Sequence, residues 1–190
     1  MYYLKLKNNF SITDKITCRE EKVFFGVRQP NNTHLGFRYN YADVENIEKY
    51  FSIIPERFRK GFTLLSLHIV LSRPETLPPH IDVNVLCCIN FYVRADNVKT
   101  QFYSIKDDLN ATTPWSDVVG LTFNLENLSE AGSFNASNGE VYLLNTSIPH
   151  SVTALNGFAD RLVLSIQTEK FTFNEVKEML EETGSIQINE

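Results

Sequence analysis

Hydrophobic and polar positions divide the chain into two textures. Residues 1–61 are mixed. Tyr2, Leu4 and Leu6 alternate with Tyr3, Lys5 and Lys7, as on a half-exposed strand. Asn40 is placed to cap a helix from Tyr41 to Phe51, with Val44, Ile47, Tyr50 and Phe51 on one face. Pro55 and Gly61 punctuate the stretch after that helix. From Phe62 the pattern turns strand-like. Residues 61–72, GFTLLSLHIVLS, form an apolar, β-branched-rich run that ends in Arg73-Pro74-Glu75-Thr76-Leu77-Pro78-Pro79. Residues 80–93, HIDVNVLCCINFYV, form a second run. Shorter candidates are Thr100–Ile105, Gly120–Asn124, Glu140–Leu144, His150–Ala154 and Arg161–Gln167. Short strands separated by turn signals predict a sandwich or barrel. At the end, Thr172-Phe173-Asn174-Glu175 has capping-box spacing, Phe173, Val176, Met179 and Leu180 form an apolar stripe, and Gly184 is placed to stop the helix.

Size and charge narrow the classes. With 190 residues and no linker-like stretch, a single domain is expected. A net charge of −5 argues against a nucleic-acid partner, though not against an anion held by one buried cation. No apolar run approaches the ~18 residues of a membrane span, and the alternating N-terminus lacks a secretory h-region. Three sparse cysteines, Cys18, Cys87 and Cys88, fit small buried residues in a reducing compartment, so a cytoplasmic location is expected.

The candidate chemistry lies in Leu77-Pro78-Pro79-His80-Ile81-Asp82. On a strand, residues two apart share a face, so His80 and Asp82 converge. An imidazole and a carboxylate on one face are two legs of a facial triad for non-haem Fe(II). A His-x-Asp alone arises easily by chance. The third leg is His150, 68 residues after Asp82 and at the start of another short strand. Arg161 comes 11 residues later and opens the apolar strand RLVLSIQ, which holds no acidic partner. A buried guanidinium needs a counter-charge, and it grips a carboxylate in bidentate fashion. If the strand from His80 is unbroken, His80, Asp82, Asn84, Leu86, Cys88, Asn90 and Tyr92 share its face; a bulge would invert that parity.

The ordered set His80-x-Asp82, His150 and Arg161 resembles the Fe(II)/2-oxoglutarate-dependent dioxygenase superfamily over residues 62–168. LPPHID, INFYV and IPHSV look most similar to its prolyl-hydroxylase-like and aspartyl/asparaginyl-hydroxylase-like branches. The resemblance implies a mainly β fold, a double-stranded β-helix (jelly roll, cupin-like). A lead-in of strands and a helix would occupy 1–61, and a supporting helix 172–183. It implies Fe(II) held by His80, Asp82 and His150, and Arg161 on the distal carboxylate of 2-oxoglutarate. Tyr92 is the candidate for a further bond to that cosubstrate, followed by Asn90, Tyr103 and Ser165. Dioxygen would be the second cosubstrate, succinate and CO2 the coproducts, and the reaction hydroxylation of an unactivated C–H bond. Many relatives carry Arg-x-Ser; here that position is Val163, and Ser165 lies one step further along the same face. The carboxylate at Asp82 favours hydroxylation over halogenation.

Two other readings suit the same residues. One is a non-enzymatic jelly-roll binding module, in which the triad is coincidence. The other is a cupin-like metalloenzyme without 2-oxoglutarate, in which Arg161 is structural. A small molecule or a peptide or protein side chain is the expected substrate, with no membrane and no nucleic-acid partner. Residues 106–119, which include Trp115, and the segment Arg28–Tyr41 are the candidate recognition loops. Of the remaining cations, His68 reads as a core histidine, and His34 and Arg73 as surface residues.

Overall fold

The computed structural model describes residues 1–7, 16–24, 36–44, 46–71, 76–82, 84–106, 112–114, 119–156 and 159–186. Its strands are β1 (Tyr3–Lys5), β2 (Ile16–Phe24), β3 (Gly36–Val44), β4 (Thr63–Leu71), β5 (Thr76–Asp82), β6 (Cys87–Asp96) and β7 (Val98–Ile105). Then come β8 (Thr112–Pro114), β9 (Val119–Thr122), β10 (Leu128–Phe134), β11 (Val141–Leu144), β12 (His150–Ala154) and β13 (Ala159–Thr168). The helices are α1 (Ile47–Phe51) and α2 (Phe173–Glu182), with 3-10 turns at Glu56–Gly61 and Leu125–Asn127.

Two antiparallel sheets form. The larger has the order β1-β11-β6-β13-β4-β3-β2, the smaller β10-β7-β12-β5-β9-β8. The chain crosses between sheets at each step from β4 to β7 and again at each step from β10 to β13. β4, β6, β11 and β13 are contiguous in the larger sheet, and β5, β7, β10 and β12 are contiguous in the smaller, with β10 at its edge. Eight strands wound in this order are a double-stranded β-helix, the jelly-roll and cupin architecture expected from the sequence.

The strand candidates after Phe62 all become strands, with one change that matters. The run His80–Val93 is not a single strand. β5 ends at Asp82, Asn84 adopts a left-handed φ of 55°, and β6 begins at Cys87 in the opposite sheet. Asparagine tolerates that conformation better than other side chains with a Cβ. The helix expected over Tyr41–Phe51 is corrected too. β3 runs through Val44 because its backbone is paired with β4 from Gly36↔Val70 to Tyr41↔Leu65 and with β2 from Cys18↔Ala42 to Ile16↔Val44, and helix survives only at Ile47–Phe51. Residues 36–41 of that candidate recognition segment are therefore strand.

The larger sheet separates two apolar layers. Ile89, Phe91, Val141, Leu143, Leu164 and Ile166 face outward onto Tyr50, Ile54 and α2. Helix α2 starts as expected. Thr172 Oγ1 accepts from the Glu175 N–H, and Glu175 accepts from the Thr172 N–H. Phe173, Val176, Met179 and Leu180 are buried, each contributing about 1.5–3 kcal/mol, and Gly184, at φ 70°, ends the segment. Inside the barrel, Cys88, Tyr92, Phe102, Tyr142, Leu144 and Val163 pack together. The side chain of His68, all of His34, Arg73 and Trp115, and the rest of the two recognition segments (28–35, 107–111 and 115–118) lie outside the described residues.

Candidate metal centre

The smaller sheet brings three side chains of metal-ligating type to one point. Strand pairing sets His150 of β12 opposite His80 of β5, with ring centroids 4.5 Å apart. Asp82 ends β5, past an irregularity in its pairing with β9. Its Oδ1 lies 3.4 Å from His80 Nε2 and 3.8 Å from His150 Nε2. One donor atom from each residue lies within 4.8 Å of the others, a group that could hold a metal ion.

Both imidazoles are oriented by their own chain. His80 Nδ1 sits 2.7 Å from the Pro78 carbonyl and His150 Nδ1 3.0 Å from that of Ile148. A carbonyl only accepts, so each Nδ1 carries a proton, and each Nε2 is left facing Asp82. The sequence explains the likeness: each histidine comes directly after a proline, and each bonds the carbonyl two residues back. Phe102 packs against the His150 ring at 5.9 Å and braces it.

Charge state agrees with ligation. Burial drives the His150 imidazole down to about 4, and neighbouring His80 and Arg161 push the same way against Asp82. It is therefore neutral near pH 7. Burial acts to raise the Asp82 carboxyl, but the His80 hydrogen bond and the charges of His150, His80 and Arg161 outweigh it and hold Asp82 below the usual range. Two imidazoles and one carboxylate on one face suit a divalent transition metal and leave part of its coordination sphere open.

The larger sheet supplies the opposing floor. Cross-strand registers put Cys88 beside Gln167, Asn90 beside Ser165, Tyr92 beside Val163 and Ala95 beside Arg161. Arg161 is 5% exposed. Its Nη2 donates to the Tyr92 hydroxyl at 3.2 Å, and its guanidinium lies 5.2 Å from the Tyr92 ring centre. Its Nε is buried without a hydrogen-bond partner, and so is Asn90 Oδ1. Among the described residues no carboxylate lies within ion-pair distance of Arg161. An unpaired buried cation is costly unless a ligand completes it, and a carboxylate is the group that does so in bidentate fashion.

The structure therefore brings His80, Asp82 and His150 together and sets Arg161, Tyr92, Asn90 and Ser165 on the facing floor. Cys88, Asn90 and Tyr92 reach the interior from the opposite sheet, although the continuous strand that suggested it does not exist. The Ser165 hydroxyl accepts from Gln167 Nε2 at 3.3 Å. Tyr103 is not brought into the group. Phe102, its neighbour, faces His150, so Tyr103 points to the other side of the sheet, where its hydroxyl meets Ser151 Oγ at 2.9 Å. Two further groups border the site, and only the second carried no sequence signal. Cys88 lies close enough to Asp82 that the carboxylate charge adds to burial in raising the thiol, and Ser165 and Arg161 offset this only in part. The Thr146 carbonyl bonds the strand end at Asp82.

No family model and no curated protein sequence matches the chain. Among solved structures, vicilin from Corylus avellana (hazelnut) aligns at 11% identity over 77% of this chain and 31% of its own, with a TM-score of 0.40. L-ribose isomerase from Cellulomonas parahominis aligns at 13% identity over 70% of this chain and 60% of its own, at 0.37. FeII HppE aligns at 13% identity over 85% of this chain and 63% of its own, also at 0.37. The chain spans less than two thirds of each. At these scores the fold rests on strand order alone.

Proposed function

We propose that the chain is an Fe(II)- and 2-oxoglutarate-dependent dioxygenase that hydroxylates an unactivated C–H bond of an amino-acid or protein side chain or of a small metabolite. The observation that carries this reading is the pairing of the triad with Arg161 across the barrel. Arg161 is buried, lacks a carboxylate partner among the described residues, and keeps Nε unpaired. Iron with 2-oxoglutarate and dioxygen supplies oxidative decarboxylation to succinate and CO2, coupled to C–H hydroxylation. The chain's own part is positioning. The backbone-held imidazoles offer Nε2 without rearrangement, and Asp82 supplies negative charge. Arg161 and the Tyr92 hydroxyl are set to hold a distal carboxylate, and Tyr92, Val163 and Phe102 keep the interior dry. Cys87 and Cys88 are free thiols, which suits a reducing compartment such as the cytoplasm. Among the described residues no helix is long and apolar enough to cross a membrane.

The test is an anaerobic titration of the protein with Fe(II) and then 2-oxoglutarate. A weak visible charge-transfer band is expected when both are present, followed by succinate formation on admitting air. Metal binding without 2-oxoglutarate binding would instead favour a cupin-like metalloprotein with a structural Arg161. Absence of metal binding would favour a binding module.

A further inference from the structure

The His-x-Asp pair ends a strand and is followed at once by a left-handed turn. Asp82 is 27% exposed at its side chain, against 5% for His80 and 9% for His150. Among the described residues of the turn after β5, none gives it support comparable to the carbonyls that hold the histidines. Support comes from a distant segment. Thr146, 1% exposed, lies in the connection from β11 to β12. Its carbonyl accepts from the Asp82 N–H at 3.3 Å, and its hydroxyl donates to the Val85 carbonyl at 2.9 Å. One residue thus grips the chain on both sides of the turn at Asn84. The connection is itself anchored, since the Asn145 N–H donates to the Tyr2 carbonyl at 2.9 Å, where β1 pairs with β11.

We infer that Thr146 is a positioning residue for Asp82, a clasp that holds the carboxylate toward the two imidazoles. This rests on the proposed metal centre. The same connection leads directly into His150, so one short segment places two of the three ligands. Outer groups that orient metal ligands typically change metal affinity ~10–100-fold when removed.

The experiment measures Co(II) affinity of the full chain by the visible d–d spectrum, beside thermal midpoints. Thr146→Val keeps size and the carbonyl but removes the O–H donor. It is expected to weaken Co(II) binding by about 10-fold and to alter band shape and intensity, with Thr146→Ser restoring both. Thr146→Ala carries the same expectation should valine not be accommodated. The control is Thr183→Val, since the Thr183 hydroxyl bonds the Ile53 carbonyl at 2.8 Å at the end of α2, which packs with Ile53 on the outer face of the larger sheet. It should lower the midpoint and leave Co(II) affinity and spectrum unchanged. Wild-type binding with Thr146→Val and Thr146→Ala both unaltered overturns the clasp alone, as does equal weakening in Thr183→Val. A wild-type protein that binds no Co(II) overturns the metal reading and the clasp with it.

Discussion

The two inner faces of the barrel treat their polar groups in opposite ways. On the smaller sheet, the polar groups are completed by protein. His80 and His150 each bond a backbone carbonyl, and Asp82 lies between their Nε2 atoms. On the larger sheet, Arg161 Nε and Asn90 Oδ1 are buried and unmatched. Buried polar groups are nearly always paired, so exceptions call for an explanation. The contrast separates a ligand set formed in advance from a floor that is finished only by what binds there. Coordination then needs little rearrangement, whereas the floor carries a standing cost until a carboxylate arrives.

The largest effect expected from breaking this contrast falls on the smaller sheet. Asp82→Ala should reduce Co(II) or Fe(II) affinity by more than the ~10–100-fold typical of a lost outer-shell contact and should abolish 2-oxoglutarate turnover. Its thermal midpoint should stay near the wild type, because Asp82 is half-buried and ends a strand. Calorimetric titration beside a thermal melt checks both. Retained affinity would remove Asp82 from the ligand set.

Arg161→Met inverts the outcome. It should weaken 2-oxoglutarate binding to the metal-loaded protein while leaving metal affinity intact. The ligand-free protein should be equally stable or more so, by up to about 1–4 kcal/mol, since an apolar replacement relieves an uncompensated buried charge. A clear loss of midpoint in the ligand-free variant would mean that Arg161 is a structural residue, satisfied by Tyr92 alone.

A third effect comes from protons. His150 binds its proton less readily folded, at about 4, than unfolded, near 6.5. The unfolded chain therefore takes up more protons between those values. The stability contribution is full above about 6.5 and is lost as pH falls toward about 4, amounting to about 3 kcal/mol. Asp82, held below its ordinary 3.8, adds a further loss only at still lower pH. Midpoints of the metal-free protein should fall from pH 7 to pH 4, and His150→Gln should flatten that slope. A slope that persists in His150→Gln would place the responsible group elsewhere.

The site was more legible in the sequence than the scaffold around it. Spacing of two on a strand announces His80 and Asp82, and a cation entering an apolar strand announces Arg161, because both are local signals. Strands β2 and β3 were not legible, since they are fixed by pairing onto β4 through partners far away in sequence. The split between β5 and β6 was hidden for a related reason: the break depends on one left-handed residue, Asn84, inside an otherwise strand-like run. Tyr103 shows the converse error. Its composition suits the site, but its parity on β7 is set by Phe102 meeting His150, which one sequence does not display. The clasp at Thr146 works through one carbonyl and one hydroxyl in a loop, with no periodicity to announce it.

The smallest effect sharpens the contrast within the floor itself. Ser165 stands on the same face of β13 as Arg161 and is fully buried, yet its hydroxyl is occupied, accepting from Gln167 Nε2 at 3.3 Å and lying against Cys88. A group already satisfied by protein has little left to offer a ligand. Ser165→Ala should therefore cost about 1 kcal/mol of stability through a lost hydrogen bond and leave 2-oxoglutarate affinity nearly unchanged. Thermal melts and titration of the metal-loaded variant against Arg161→Met give the comparison. A drop in affinity as large as that in Arg161→Met would show that Ser165 releases Gln167 to meet the cosubstrate. The line between completed and uncompleted groups would then run differently across the barrel.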